Sequence, residues 1–161
     1  MSISFLETSS EIIIRDATEK DLNVLLEFEQ QIISAEKPFD ITLKDEPTFY
    51  YNFPDLLKSA NTKLLVAEIE NEIVASGYAQ IRKADHFLKH DEFAYVGLMY
   101  VKPEHRRKGI NQKILEQLKR WIIKKEITEI RLLVYDENIQ AKNAYLKAGF
   151  KPHVLEMRMG I

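Results

Sequence analysis

A run of cationic residues between an apolar strand and an amphipathic helix is the stretch of this sequence best suited to chemistry. Residues 93–101 have the pattern of a strand, residues 105–108 carry the charge, and Gly109 opens the helix. Unpaired backbone N–H groups of such a turn and helix start point outward, and the helix dipole favours negative charge there. The stretch therefore predicts an anion site, and a diphosphate is the working hypothesis for its ligand.

Two simpler interpretations of residues 105–108 compete with an anion site. Such a run is usually a solvated charge cluster, and its flanking strand and Gly109 are what favour a site. A nucleic-acid surface is disfavoured because the formal net charge of the chain is -2, whereas nucleic-acid binding relies on a basic surface. The aromatic residues nearby have the pattern of core positions and do not form a stacking platform.

Hydrophobic periodicity places this stretch among alternating strands and helices. The predicted elements are a strand at 12–14, a helix at 22–34, a short helix near 55–59, a hairpin of strands at 63–69 and 73–82, a strand at 93–101, a helix at 109–125, a strand at 130–135, a helix at 138–149 and a strand at 154–159. This β-α-α-β-β-β-α-β-α-β order combines a hairpin with strand–helix units. A mixed sheet is therefore expected.

Bulk properties indicate one ordinary globular domain. With 161 residues the chain can bury a sizeable core, and we assign 11–161 to a single domain behind a loose leader at 1–10. The sequence has no cysteine, which excludes disulfides, thiolate metal sites and a cysteine nucleophile. The four histidines lack metal-ligand spacing, so no metal is predicted, and dinucleotide and ATP motifs are absent.

Targeting and membrane signals are also missing from the sequence. The first residues show no positive region before an apolar run, as a secretory signal would require. No apolar stretch approaches the roughly 18 residues of a membrane span. A cytoplasmic location with no membrane partner is therefore predicted.

Two blocks of the sequence resemble the GNAT superfamily of acetyl-coenzyme A-dependent N-acetyltransferases. The block from Met99 to Asn111 is similar to the family's hydrophobic-x-V-x-P-x-x-R-x-x-G-x-G/A signature. The block from Asn138 to Phe150 is similar to its N-x-x-A-x-x-x-Y-x-x-x-G-F segment. The resemblance covers nearly the whole chain from Ile12. It implies an α/β (α+β) fold with a mixed, mainly antiparallel central sheet of six to seven strands flanked by about four helices.

The resemblance also implies roles for residues of both blocks. The backbone of Met99, Tyr100 and Val101 would pair with the pantetheine arm of acetyl-CoA, and the next loop would hold its diphosphate. That loop contains Arg106, Arg107, Lys108, Gly109, Ile110, Asn111 and Gln112. Asn138 would contact the pantetheine region, and Tyr145 would protonate the leaving thiolate. A core aromatic is the alternative for Tyr145, although its spacing from Asn138 places both on nearly one helix face.

The sequence departs from the family pattern at two positions. Asn111 replaces the last Gly or Ala of the loop signature, so its side chain is expected to point away from the phosphates. Gly97 stands where many family members carry a glutamate that acts as a base through water. Glu92 is the predicted catalytic replacement, with His90 and the C-terminal carboxylate of Ile161 as alternatives. An amine that arrives neutral would need no base.

The predicted function is transfer of an acetyl group from acetyl-CoA to a primary amine of a small molecule or an exposed protein amine. Direct attack on the thioester needs no covalent enzyme intermediate, which suits a chain without cysteine. The acceptor is expected at residues 35–62, whose aromatic and acidic side chains either bind a cationic amine or belong to the core and the solvated surface. A non-catalytic acyl-CoA-binding sensory or regulatory module is the alternative that Gly97 keeps open. Oligomeric state is also open, with a homodimer expected by family analogy.

Overall fold

The protein, analysed as a computed structural model, is described for residues 10–161. Nearly all of the predicted leader at 1–10 lies outside these residues. The strands are β1 (Ile12–Asp16), β2 (Thr62–Ile69), β3 (Glu72–Lys83), β4 (Glu92–Val101) and β5 (Ile130–Arg131). The α-helices are α1 (Leu22–Glu36), α2 (Phe53–Lys58), α3 (Ile110–Lys124) and α4 (Ile139–Lys147). Short 3-10 turns at 19–21, 37–39 and 103–105 connect them.

The five strands form one sheet in the order β1-β2-β3-β4-β5. The first three pairs are antiparallel and β4 pairs with β5 in parallel. The predicted hairpin is confirmed as β2–β3, and its turn consists of Glu70 and Asn71, both with positive φ. A two-residue hairpin turn whose twist matches that of its flanking strands requires positive φ at both positions. The mixed, mainly antiparallel α/β architecture is therefore confirmed.

Apolar side chains cover both faces of the sheet, so the sheet forms the middle layer of the fold. One cluster joins the sheet to α3 through residues such as Ile114, Leu118 and Ile122. The other joins it to α1 and α2 through residues such as Leu25 and Phe53. The amphipathic pattern of α3 thus identified its buried face correctly. No helix among the described residues is long and apolar enough to cross a membrane.

The sheet has fewer strands than predicted, and the closing strand at 154–159 is wrong. Residues 151–161 lie outside every helix and strand, and Val154, Leu155, Met157 and Met159 are exposed. The strand predicted at 130–135 pairs only over Ile130–Arg131. The N–H and C=O groups of a strand need a neighbouring strand to pair with. In the described part of the chain, residues 132–135 have no such pairing, so β5 ends at Arg131.

Candidate active site

The end of β4 has one unpaired edge, which opens a cleft in the sheet. Parallel pairing with β5 is confined to Ala94–Ile130 and Tyr95–Arg131. From Val96 to Val101, β4 pairs only with β3 on its other side. An open strand edge presents N–H and C=O groups that can pair with an extended ligand. The predicted pantetheine-pairing residues Met99, Tyr100 and Val101 lie along this open edge.

A β-bulge bends β4 at the start of the open edge. Tyr78 pairs with Gly97 and Ser76 pairs with Tyr100, so Leu98 and Met99 together face the single residue Gly77. Leu98 adopts φ +51, which costs a non-glycine residue about 1–2 kcal/mol. Such local strain persists only where the surroundings hold it in place.

Two hydroxyl groups hold the bulge. The Ser76 hydroxyl donates to the carbonyl of Leu98 at 2.9 Å, and Ser76 is fully buried. The N–H of Leu98 donates to the Tyr51 hydroxyl at 3.2 Å. Tyr51 belongs to the segment between α1 and α2, so this contact joins the expected acceptor segment to the cleft.

The absence of the family's glutamate at Gly97 has a steric explanation. A Cβ atom built on Gly97 would lie 2.7 Å from the Tyr78 ring, well inside van der Waals contact. Tyr78 is 1% exposed and packs edge-on against Tyr51, with ring centroids 5.4 Å apart. The Tyr78 ring therefore occupies the space that a side chain at position 97 would need.

The loop after β4 is shaped to bind an anion. Arg107 and Gly109 have positive φ angles of +62° and +74°, and α3 begins at Ile110. Successive N–H groups in such conformations form a concave anion site at a helix start. A Cβ built on Gly109 meets nothing within 4 Å, so the space above the loop is open.

The cationic side chains of the loop have two roles: one anchors the loop to β4, and two are left to meet a ligand. The Arg106 Nε donates to the carbonyl of Val101 at 3.0 Å, so this guanidinium anchors the loop to β4. Arg107 and Lys108 are exposed. Ile110 is buried in the core beneath α3. These placements leave the main-chain N–H groups and the charges of Arg107 and Lys108 to meet a ligand.

Two further loop residues, Gln112 and Asn111, have polar side chains. The Gln112 side chain donates to Glu116 on the next turn at 3.2 Å. The side-chain oxygen of Asn111 is buried without a hydrogen-bond partner. The family signature has no side-chain amide at position 111. An amide oxygen only accepts hydrogen bonds and cannot bond to phosphate oxygens, so binding of a diphosphate would rely on the N–H groups of the loop. The donors and open space of the loop fit the diphosphate of acetyl-CoA.

Helix α4 places Tyr145 near β4. The Asn138 side chain accepts from the N–H of Ala141 at 3.2 Å, which confirms its capping role. Gly149 ends the helix at φ +99, as predicted. Burial, with smaller effects from Tyr95 and Glu36, raises the pKa of Tyr145 to about 12. Tyr145 thus keeps its proton at neutral pH, and its ring packs edge-on against Phe150 with centroids 5.7 Å apart.

Two of the three candidates for the missing base, Glu92 and His90, lie at the other end of β4; the third, Ile161, is fully exposed. Glu92 is the first residue of that strand and is exposed, beside a cavity of about 460 Å³ formed by residues 83–92. At roughly 3.3 Å per residue, it lies about 23 Å along the strand from Met99. The His90 Nε2 is 3.0 Å from a carboxylate oxygen of Glu129. Among residues 10–161, no group of three or more acidic or histidine side chains is placed to hold a metal ion.

The sequence interpretation missed three residues around the cleft: Tyr51, Tyr78 and Glu36. Tyr51 supports the bulge, Tyr78 fills the space at Gly97, and Glu36 accepts a hydrogen bond from Tyr50 at 2.9 Å. Only Tyr51 had a sequence signal, the high aromatic content of residues 35–62. Each becomes relevant only through contacts between residues distant in the chain.

Comparisons with known proteins agree with this geometry. A sequence profile described as the Acetyltransferase (GNAT) family matches residues 28–150. No curated protein matches the chain in sequence. A mutant of the BH1408 protein from Bacillus halodurans has a similar structure, with a TM-score of 0.83, 21% identity and coverage of 92% of this chain and 99% of that chain.

Two further solved structures share the fold. A predicted acetyltransferase with acetyl-CoA from Clostridium acetobutylicum has a TM-score of 0.74 at 20% identity, covering 93% of this chain and 96% of that chain. Glucosamine-6-phosphate N-acetyltransferase from Arabidopsis thaliana has a TM-score of 0.69 at 20% identity, covering 93% and 98%. The profile match spans more than half of the sequence and includes both blocks, so the chain belongs to the acetyltransferase (GNAT) family.

Proposed function

We propose that this acetyltransferase moves the acetyl group of acetyl-CoA to a primary amine of a small molecule or an exposed protein amine. The observation that carries the proposal is that the open edge of β4 runs directly into the anion loop. Tyr145 on α4 adds a proton donor, and Tyr95 of β4 is close enough to contribute to its raised pKa. Together the open edge, the loop and Tyr145 suit an extended ligand with a diphosphate at one end and a thioester at the other. The solved glucosamine-6-phosphate N-acetyltransferase, an enzyme of the same fold, supports amine acetylation.

Each part of the site has a proposed task in this reaction. Backbone groups of Met99–Val101 would bind the pantetheine arm, and N–H groups from Arg107 to Gln112 would bind the diphosphate. Acetyl-CoA supplies a thioester that an amine nitrogen can attack directly. Tyr145, which burial keeps protonated at neutral pH, would donate a proton to the departing sulfur.

The decisive test is cofactor binding followed by turnover. Isothermal titration with acetyl-CoA should show saturable binding below millimolar concentration. A thiol-release assay against polyamines, amino acids, aminoglycosides, amino sugars and peptide N-termini should identify at least one accepted amine. Absence of acetyl-CoA binding at millimolar concentration would refute the proposal.

A second candidate function remains because Gly97 replaces the expected base. A non-catalytic module that senses acyl-CoA would bind acetyl-CoA but release no thiol with any amine in the panel. Tyr78 filling the position beside Gly97 is the observation behind this alternative. The same two assays therefore separate the two functions.

A further inference from the structure

At the end of α1 lies a carboxylate that has no cationic partner within residues 10–161. Glu36 is the last residue of that helix and is half-buried. The Tyr50 hydroxyl donates to its Oε2 atom at 2.9 Å. None of the ion pairs among residues 10–161 includes Glu36. Its negative charge is therefore available to a ligand.

A continuous chain of contacts connects Glu36 to the bulge of β4. Tyr50 holds Glu36 and packs edge-on against Tyr51, with ring centroids 6.1 Å apart. The Tyr51 hydroxyl accepts from the N–H of Leu98. The carboxylate thus belongs to the same site as the bulge, although α1 and β4 are far apart in the sequence.

The Glu36 carboxylate contacts Tyr50, and its charge also affects tyrosines of three other segments. The charge of Glu36 contributes, after burial, to the raised pKa of Tyr95 on β4, Tyr135 after β5 and Tyr145 on α4. Aromatic faces attract cations, and the attraction grows when water is excluded. A carboxylate among tyrosines suits an ammonium group and repels acceptors that carry a phosphate or carboxylate close to the amine.

We propose that Glu36 receives the ammonium group of the acceptor and removes its proton, in place of the glutamate missing at position 97. This inference rests on the proposed amine acetylation and deepens it by naming a base and a substrate class. The preferred acceptors are amines that are cationic at neutral pH and lack a nearby anionic group.

The proton and electron balance of the step is complete. Glu36 accepts one proton from the ammonium group and later releases it to water. The neutral nitrogen forms the C–N bond, and the C–S bond breaks with its electron pair leaving on sulfur. Tyr145 protonates that sulfur, and the second proton of the nitrogen restores the Tyr145 hydroxyl. The products are an amide, a thiol and one released proton.

Burial raises the pKa of Glu36, and the Tyr50 hydrogen bond opposes this change. A raised pKa makes Glu36 a better base, provided the pH stays above it. The acid side of the pH profile should therefore report Glu36. Other titratable or charged groups around this site are Asp40 with its ion-pair partner Arg158, Arg82, and the tyrosines Tyr50, Tyr51, Tyr95, Tyr135 and Tyr145.

The test compares Glu36→Gln with the control Glu27→Gln, an exposed glutamate of the same helix. Acceptors are spermidine, an aryl amine that is neutral at pH 7, and glucosamine 6-phosphate. In the wild type, spermidine should give a higher kcat/KM than glucosamine 6-phosphate. Glu36→Gln should lower kcat/KM for spermidine about 100-fold and remove the acid limb of its pH profile. The aryl amine should be little affected, and acetyl-CoA affinity should stay unchanged.

Three results would overturn the inference. The first is an equal loss of kcat/KM for spermidine and the aryl amine in Glu36→Gln. The second is a pH profile for spermidine that is unchanged in Glu36→Gln. The third is a higher wild-type kcat/KM for glucosamine 6-phosphate than for spermidine. Glu36→Asp, which keeps the charge, should recover part of the activity towards spermidine. A wild type that binds acetyl-CoA but releases no thiol with any amine would instead refute the proposed function itself.

Discussion

Tyr145 is the residue on which the proposed chemistry depends most directly. Its pKa is raised to about 12, chiefly by burial, so it can donate a proton at neutral pH. We predict that Tyr145→Phe lowers kcat about 100-fold, the low end of general acid catalysis, while the Kd for acetyl-CoA stays unchanged. Steady-state kinetics and calorimetry measure the two quantities. Asn143→Ala, an exposed position of the same helix, is the control, and equal kcat values in both variants would contradict the role.

Gly97 and Tyr78 form a steric pair at the floor of the site. Because a Cβ at position 97 would lie 2.7 Å from the Tyr78 ring, Gly97→Ala should lower the free energy of unfolding by about 1–3 kcal/mol through overpacking. Urea denaturation measures the loss. Gly160→Ala, where a Cβ meets nothing within 4 Å, should be neutral. In a Tyr78→Leu background, Gly97→Ala should lower the free energy of unfolding by less. An equal loss in both backgrounds would contradict the steric explanation.

At the scale of elements, α1 fixes the acceptor segment through a buried glutamate. The Oε1 atom of Glu29 accepts from the N–H groups of Tyr50 and Tyr51 at 2.7 and 2.8 Å, and Glu29 is 0% exposed. These two bonds determine where the segment lies against the cleft. The rest of the segment has little regular structure, with a 3-10 turn at 37–39 and the short helix α2 before β2.

Glu29→Ala should therefore destabilise the protein and disturb the acceptor site together. The N–H groups of Tyr50 and Tyr51 lose a charged acceptor, which should cost about 3 kcal/mol of unfolding free energy. The KM for an accepted amine should rise more than the Kd for acetyl-CoA, because the anion loop lies on another element. Glu29→Gln keeps an acceptor oxygen and should cost less. Glu27→Ala, at an exposed position of the same helix, is the control. An equal loss of unfolding free energy in Glu27→Ala and Glu29→Ala would contradict the anchoring role.

At the scale of the whole molecule, one ion-pair network connects β1, β2 and the start of α1. The Arg15 guanidinium contacts Asp21 at 2.7 Å and Glu68 at 2.6 Å. Asp21 is buried and also accepts from the N–H of Thr18 at 2.7 Å. The Arg15 hydrogen bond lowers the pKa of Asp21, with burial opposing it and Thr18 assisting.

This network predicts how stability depends on pH. A carboxylate with a lowered folded-state pKa stabilises the fold above its unfolded pKa of about 3.9, and that contribution disappears as the pH falls through the folded value. Asp21→Asn should therefore cost about 2 kcal/mol at pH 6, and the difference from wild type should shrink below about pH 4. Asp16→Asn, in an exposed pair with Lys63, should cost much less. Urea denaturation across this range measures both, and a difference independent of pH would contradict the assignment.

The sequence by itself determined the features that local pattern encodes. The spacing of Val101, Pro103, Arg106 and Gly109 indicated the strand, the anion loop and the helix start, because turn conformation and helix capping depend on neighbouring residues. The amphipathic face of α3 and the ends of α4 followed from helix periodicity and capping for the same reason. These segments were sufficient to indicate the family.

Only the tertiary structure decided what distant residues do together. The prediction of a strand at 154–159 was wrong because a strand needs a neighbouring strand to pair with. The alternation of apolar and polar residues at 154–159 cannot supply that neighbour. The reason for Gly97 was hidden because Tyr78 lies on the neighbouring strand. Glu36 has no motif, and its contacts with Tyr50 and the cleft arise from chain folding over long sequence separations. The family and its acetyl donor were therefore readable from local pattern, whereas the proposed base and acceptor class rest on packing between distant residues.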